Sequence, residues 1–141
     1  MIVKKSNNPA ETREIGKFLA RKILKNMPKK LARVLGLTGD LGAGKTTFLQ
    51  GFAKGLGIKE KILSPTFIII RRLRNFYHID CYRIKKPKEI LNLGFKEIMS
   101  DPKNIVAIEW AERIRPLLPK SAILVQFKPV GKNKREIKIA P

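Results

Sequence analysis

The sequence predicts an α/β fold, with a mainly parallel central sheet, antiparallel hairpins and flanking helices. Three observations predict it. Gly39-Asp40-Leu41-Gly42-Ala43-Gly44-Lys45-Thr46 fits G-x-x-x-x-G-K-[ST] and sits between an apolar segment and an amphipathic one, the order strand, loop, helix. Ile105-Val106-Ala107-Ile108 is a continuous apolar run that ends in Glu109-Trp110, the pattern of a strand buried on both faces. Two further pairs of strand-like segments, near 67–80 and 122–139, are each joined by a short turn and therefore pair antiparallel. At 141 residues and 43% hydrophobic, the chain suits one globular domain spanning 1–141.

The elements follow in order. Asn8-Pro9-Ala10-Glu11 opens a helix, with Asn8 as N-cap, Pro9 in the first turn and Glu11 placed to reach back. Ile15, Phe18, Leu19, Ile23 and Leu24 recur at helical spacing to about Asn26, and Met27-Pro28 ends the helix. Arg33–Thr38 is the first strand expected. After the glycine-rich loop, Phe48, Leu49, Phe52, Ala53 and Leu56 share one face of a helix that Gly57 closes as a left-handed cap. Phe67–Arg72 and Phe76–Asp80 form a hairpin turning near Arg74-Asn75. Pro87–Met99 reads as short helices broken at Gly94, and Asp101-Pro102 ends them. Ala122–Phe127 and Arg135–Ile139 form a terminal hairpin across Gly131-Lys132-Asn133.

The glycine-rich loop carries the clearest chemistry. A run of backbone N–H groups at a helix N-terminus holds phosphate oxygens, and the helix dipole favours their charge. Glycines keep side chains away and permit the dihedrals that aim those groups inward. Asp40, Leu41, Gly42, Ala43, Gly44, Lys45, Thr46 and Thr47 are thus the expected nucleotide-binding residues, with Lys45 bridging the β- and γ-phosphates and the Thr46 hydroxyl on Mg²⁺.

Such a site needs an acid at the end of a neighbouring strand, to hold the metal or orient a water. Glu109 and Asp80 both stand at predicted strand ends and are the two candidates. Thr66, in a switch-like segment, is a candidate second hydroxyl near the γ-phosphate. His78, Tyr82 and Arg83 complete a polar cluster after the hairpin, and His78 on its own carries no assigned role. One Cys and one His exclude a zinc site.

Composition narrows the setting. A lone cysteine, Cys81, rules out an intrachain disulfide and favours a reducing compartment. Neither a signal peptide nor a membrane span is apparent, so a cytoplasmic protein is expected. Thirty-one Lys and Arg against eleven Asp and Glu give a formal charge of +20. That surplus suits a phosphate-rich partner, RNA foremost, and equally suits a solvated lysine surface.

Taken together, Gly39–Thr47, Ser64-Pro65-Thr66-Phe67, His78-Ile79-Asp80-Cys81-Tyr82-Arg83 and Ile108-Glu109-Trp110 resemble, in that order, the bacterial TsaE (YjeE) family. The resemblance runs from about residue 9 to 139. It implies a P-loop NTPase-like fold, binding of ATP and Mg²⁺, and slow ATP hydrolysis that depends on partners. It also implies work on threonylcarbamoyladenosine in tRNA beside the TsaD and TsaB proteins, resetting the synthase between rounds, with contact to tRNA itself expected to be indirect. By the same resemblance Lys45 and Thr46 hold phosphates and metal, Glu109 is the acid on the metal side, Thr66 and Asp80 line the site or its switch, and Trp110 lies beside it. Arg83 is a candidate for contact with the γ-phosphate or a partner. The arm between Phe67 and His78 is shorter than the resemblance leads one to expect.

Two rival readings share these residues. A small-molecule P-loop kinase would use the same loop, although the sequence has no arginine-rich insertion long enough for a lid. A nucleic-acid-binding module with regulatory ATP would account for the charge.

Overall fold

A computed structural model describes residues 1–40, 42, 44–62 and 69–141. Its centre is one seven-stranded sheet. In chain order the elements are β1 (Ile2–Ser6), α1 (Pro9–Leu24), β2 (Arg33–Thr38), α2 (Lys45–Gly55), β3 (Ile70–Leu73), β4 (Phe76–Asp80), α3 (Lys88–Leu91), α4 (Phe95–Met99), β5 (Ile105–Glu109), a 3₁₀ helix (Ala111–Leu117), β6 (Ile123–Gly131) and β7 (Lys134–Ala140). The sheet order is β1-β7-β6-β2-β5-β4-β3. β6, β2, β5 and β4 run parallel, while β3 on one side and β7 on the other close antiparallel hairpins.

Alternation along the strands divides the core in two. Leu35 and Leu37 of β2, Ile105 and Ala107 of β5, and Phe76 of β4 face α1 and α2. Val34, Val106, Ile108 and Ile79 face the other way, onto Ile90, Phe95, Ala111 and Ile114. All five residues of β5 are buried, as a strand covered on both faces must be. Aromatic contacts tie α2 to the sheet: Phe48 meets Phe127 edge-on at 5.2 Å, and Phe52 meets Phe76 at 5.8 Å.

The helix ends are written in side chains and glycines. Asn8 Oδ1 accepts from Glu11 N–H at 2.9 Å, and Glu11 Oε1 accepts from Asn7 N–H at 2.8 Å, a reciprocal cap shifted by one residue. At the end of α2, Gly57 adopts φ 83° and Ile58 N–H reaches back to Ala53 O at 3.0 Å, the Schellman arrangement that satisfies a terminal carbonyl. Helix α2 lies unusually close to α1. A Cβ on Gly51 would overlap the Arg13 carbonyl, and one on Gly16 would overlap that of Phe48.

Three elements depart from the sequence expectation. The strand β1 was not foreseen, because three of its five residues are exposed and two are lysines. It needs little apolar character, since it is an edge strand that only caps β7. The 3₁₀ helix, with Pro116 inside it and a kink at Ile114, has no clean helical period to read. Helix α1 stops at Leu24, two residues earlier than its apolar spacing suggests. The beginning of the first expected hairpin strand, 67–68, lies outside the described residues. Among the described residues no helix is long and apolar enough to cross a membrane.

The parallel register sets up everything that follows. Glu109, last in β5, is level with Leu37 of β2 on one side and with Asp80 of β4 on the other. Cys81 N–H continues that ladder to Glu109 O at 3.0 Å. The ends of β2, β5 and β4 therefore open together at the carboxyl edge of the sheet, where open α/β sheets take their ligands.

Close helix packing gives the first test. Gly51→Ala forces α1 and α2 apart, and chemical denaturation should show a loss of about 1–3 kcal/mol or more. Unchanged stability would mean that the two helices are not held at this spacing in solution.

Candidate functional site

The site is built where β2 turns into α2. Gly39 has φ 142°, Gly42 φ 79° and Gly44 φ 100°, so the loop winds through backbone conformations open mainly to glycine. Gly44 caps α2 without a side-chain bond. The first bond inside the helix runs from Phe48 N–H to Gly44 O at 2.9 Å. Lys45, Thr46 and Thr47 therefore present N–H groups that no helical carbonyl satisfies. That is an anion site in its backbone alone.

Lys45 is 5% exposed. Its Nζ donates to Gly39 O at 2.5 Å and lies 4.1 Å from the centre of the Trp110 ring. Burial lowers its pKa, and the negative charges of Glu109, Glu112, Asp80 and Asp40 work against that shift. A buried ammonium is tolerable only with such compensation.

The two acids arrive from adjacent strands. Glu109 is 5% exposed, and its Oε2 meets Nε2 of His78, itself 1% exposed, at 2.5 Å. Asp80 is half-buried and its Oδ1 accepts from Tyr82 N–H at 2.9 Å. Burial raises the Asp80 pKa first of all; the Tyr82 bond opposes this, and the neighbouring Glu109 charge adds to it.

Trp110 adopts φ 57°, ψ 43°. A bulky residue in the left-handed region is an outlier, at a cost of about 1–2 kcal/mol. Its ring is held by Tyr82 at 5.1 Å, with Lys45 on it and the Arg113 guanidinium 5.6 Å away.

Of the residues expected from sequence, Lys45, Glu109, Asp80 and Trp110 come together, with Gly42, Gly44, Thr46 and Thr47 at the helix start beside them. Asp40 is exposed at the loop entrance and acts on Lys45 through its charge. Arg83 is exposed in the turn after β4. Leu41, Ala43 and Thr66 lie outside the described residues. Among the described residues no three His, Cys, Asp or Glu side chains gather into a metal-holding group.

Two contacts were not read from sequence. His78 was noticed but had no role; the alternation of β4 places it on the face of Asp80, which was the available signal. Arg135 was read only as part of a strand, yet its Nη2 donates to Gly42 O at 2.9 Å and its stem passes over Gly44. Ninety-three residues separate that pair, and no local pattern could have joined them.

The chain is similar to known proteins along most of its length. The family model described as threonylcarbamoyl adenosine biosynthesis protein TsaE matches residues 6–137. A Bacillus subtilis protein named tRNA threonylcarbamoyladenosine biosynthesis protein TsaE is 40% identical over 134 residues, covering 92% of this chain and 79% of its own. The Rickettsia prowazekii protein of the same name is 39% identical, covering 92% of this chain and 88% of its own. The crystal structure of Bacillus subtilis YdiB superimposes with a TM-score of 0.77 at 35% identity, covering 98% of this chain and 83% of that one.

The electrostatics of Asp80 make a prediction. Asp80→Asn keeps an oxygen for Tyr82 N–H and removes a carboxylate whose ionised form burial disfavours. Because a raised pKa means that ionisation costs stability above it, the variant should melt at or above the wild-type temperature at pH 7. A clear drop in the melting temperature would show that the Asp80 charge is structural.

Proposed function

This chain belongs to the TsaE family, and on that premise we propose that it is a Mg-ATP hydrolase acting in threonylcarbamoyladenosine modification of tRNA. The observation that carries the reading is the register that sets Glu109 between Leu37 and Asp80, beside the loop that holds Lys45. A phosphate-binding helix end, a buried cation and two acids in one crevice are the parts that phosphoryl chemistry needs.

The donor set suits magnesium. Mg²⁺ takes oxygen ligands and is usually held by one or two protein groups together with phosphates and water. The hydroxyl of Thr46 and the carboxylates of Glu109 and Asp80 are all oxygen donors. When bound, the ion would supply neutralisation of the phosphate charge.

The chain's own residues do the rest. N–H groups of Gly42 and Gly44–Thr47 receive phosphate oxygens. Lys45 exchanges its bond to Gly39 O for the β- and γ-phosphates, guided by the face of Trp110. Glu109 holds the metal side, Asp80 orients the attacking water, and Thr66 adds a hydroxyl near the γ-phosphate. Water adds to the γ-phosphorus as the bond to the β–γ bridging oxygen breaks, giving ADP and phosphate. Positioning and charge supply the rate.

Family membership supports the remaining assignments. The chain works with TsaD and TsaB in the cytoplasm, its turnover is slow alone, and hydrolysis resets the synthase between rounds. The +20 charge favours one other reading, direct binding of tRNA by the isolated chain. Filter binding across a salt series separates the two: tight, steeply salt-dependent capture of tRNA without protein partners would favour it.

Lys45→Ala is the decisive variant. Hydrolysis measured alone and with partners should fall by about two orders of magnitude or more, the loss of a main electrostatic contact in a water-poor site. The melting temperature should fall somewhat, because Glu109 and Asp80 lose a buried counter-charge, so hydrolysis is measured well below it. Undiminished, partner-stimulated hydrolysis by this variant would overturn the proposal.

A further inference from the structure

Glu109 has two carboxylate oxygens, and the fold commits one of them. We propose that His78 is the positioning residue for Glu109: its imidazole holds Oε2, so that Oε1 is the oxygen offered to the nucleotide's metal. The inference rests on the Mg-ATP reading above.

The geometry is specific. His78 is level with Ala107 and so reaches diagonally, two residues along β5, to Glu109. The small side chain of Ala107, fully buried on the same face, leaves room for that diagonal. The Nε2–Oε2 distance is 2.5 Å, and neither partner is more than 5% exposed. A carboxylate that is to hold a metal can only accept, so in this role Nε2 is the donor. Nδ1 is buried and has no hydrogen-bond partner among the described residues. A histidine kept for structure alone would be expected to satisfy both nitrogens; this one spends its single bond on the acid.

Such a bond does definite work. Glu109 hangs on a flexible side chain at the end of its strand, and a free carboxylate would sample several rotamers. Anchoring one oxygen from the neighbouring strand fixes the plane of the other. Partners of this kind commonly alter metal affinity or activity by about 10–100-fold when removed.

The test compares His78→Leu, which removes the donor at similar volume, with His78→Gln, whose amide nitrogen reaches about as far as Nε2. Three quantities are read in the full chain: ATP affinity in EDTA from Trp110 fluorescence, Mg²⁺ affinity of the ATP-loaded protein, and kcat and KM for hydrolysis. ATP affinity in EDTA should stay within about two-fold in both variants. His78→Leu should weaken Mg²⁺ binding and lower kcat, each by about ten-fold or more, with KM for ATP little changed. His78→Gln should recover most of both. If His78→Leu melts below the assay temperature, His78→Asn replaces it, since the shorter amide sits at the Nδ1 position. Equal behaviour of the donor-bearing and donor-less variants would overturn the proposal, as would a loss of ATP affinity in EDTA that matches the loss of kcat. A wild-type chain that binds no Mg-ATP would sink the parent reading itself, a result distinct from either.

Discussion

The site depends on taking opposite charges out of water together. Lys45 and Glu109 are almost completely buried and Asp80 is half so. Any one of these charges alone would be costly in the interior and would tend to neutralise. Burial lowers the Lys45 pKa and raises that of Asp80, while each group's charge pulls the other back. Parallel pairing of β2, β5 and β4 makes this possible, because it stops three strands at one level. An antiparallel neighbour in place of β4 would have sent its last residue to the opposite edge.

Positive φ recurs at the same edge. Gly39, Gly42 and Gly44 take positive φ where a loop must present its backbone, and Trp110 takes it without being glycine. The ring explains why a tryptophan stands there: it lies against Tyr82 and carries the Lys45 ammonium on its face. Strain of this order is retained only where the surroundings over-determine it. Here the turn from β5 into the 3₁₀ helix sets the ring over the lysine and, one residue earlier, fixes the acid. Acid and ring are consecutive in sequence, so a shift in either disturbs the other.

Much of this could be read from the chain. The loop motif, the apolar run ending in Glu109, and the caps at Asn8 and Gly57 are local patterns, and local patterns survive folding. Glu109 and Asp80 are each legible as acids at strand ends, and the pairing of β4 with β5, which the sequence does not state, puts them level. What escaped was either weakly patterned or remote. The strand β1 is an edge with lysines, the 3₁₀ helix is kinked, and Arg135 meets Gly42 only because β7 folds back beside the loop. His78 was visible on the right face of its strand. Its partner was not, since a diagonal contact across a parallel pair depends on register that sequence does not state.

The charge of the whole chain bears on the same chemistry. A triphosphate approaching Glu109 and Asp80 meets two like charges, and Lys45 offsets only one of them locally. On the Mg-ATP proposal, magnesium on the nucleotide would meet part of the deficit. A surface carrying +20 can meet more, since summed positive potential raises the local concentration of an anion and speeds its encounter, an effect that salt screens over a Debye length of about 8 Å at physiological strength. On this view the acids belong deep in the crevice and the lysines outside it: attraction operates at long range, where no geometry is needed, and discrimination of the metal-bound nucleotide operates at contact, where Glu109 is held by His78. Reversing that arrangement would hold nucleotide tightly at the rim and leave the reacting end without an acid.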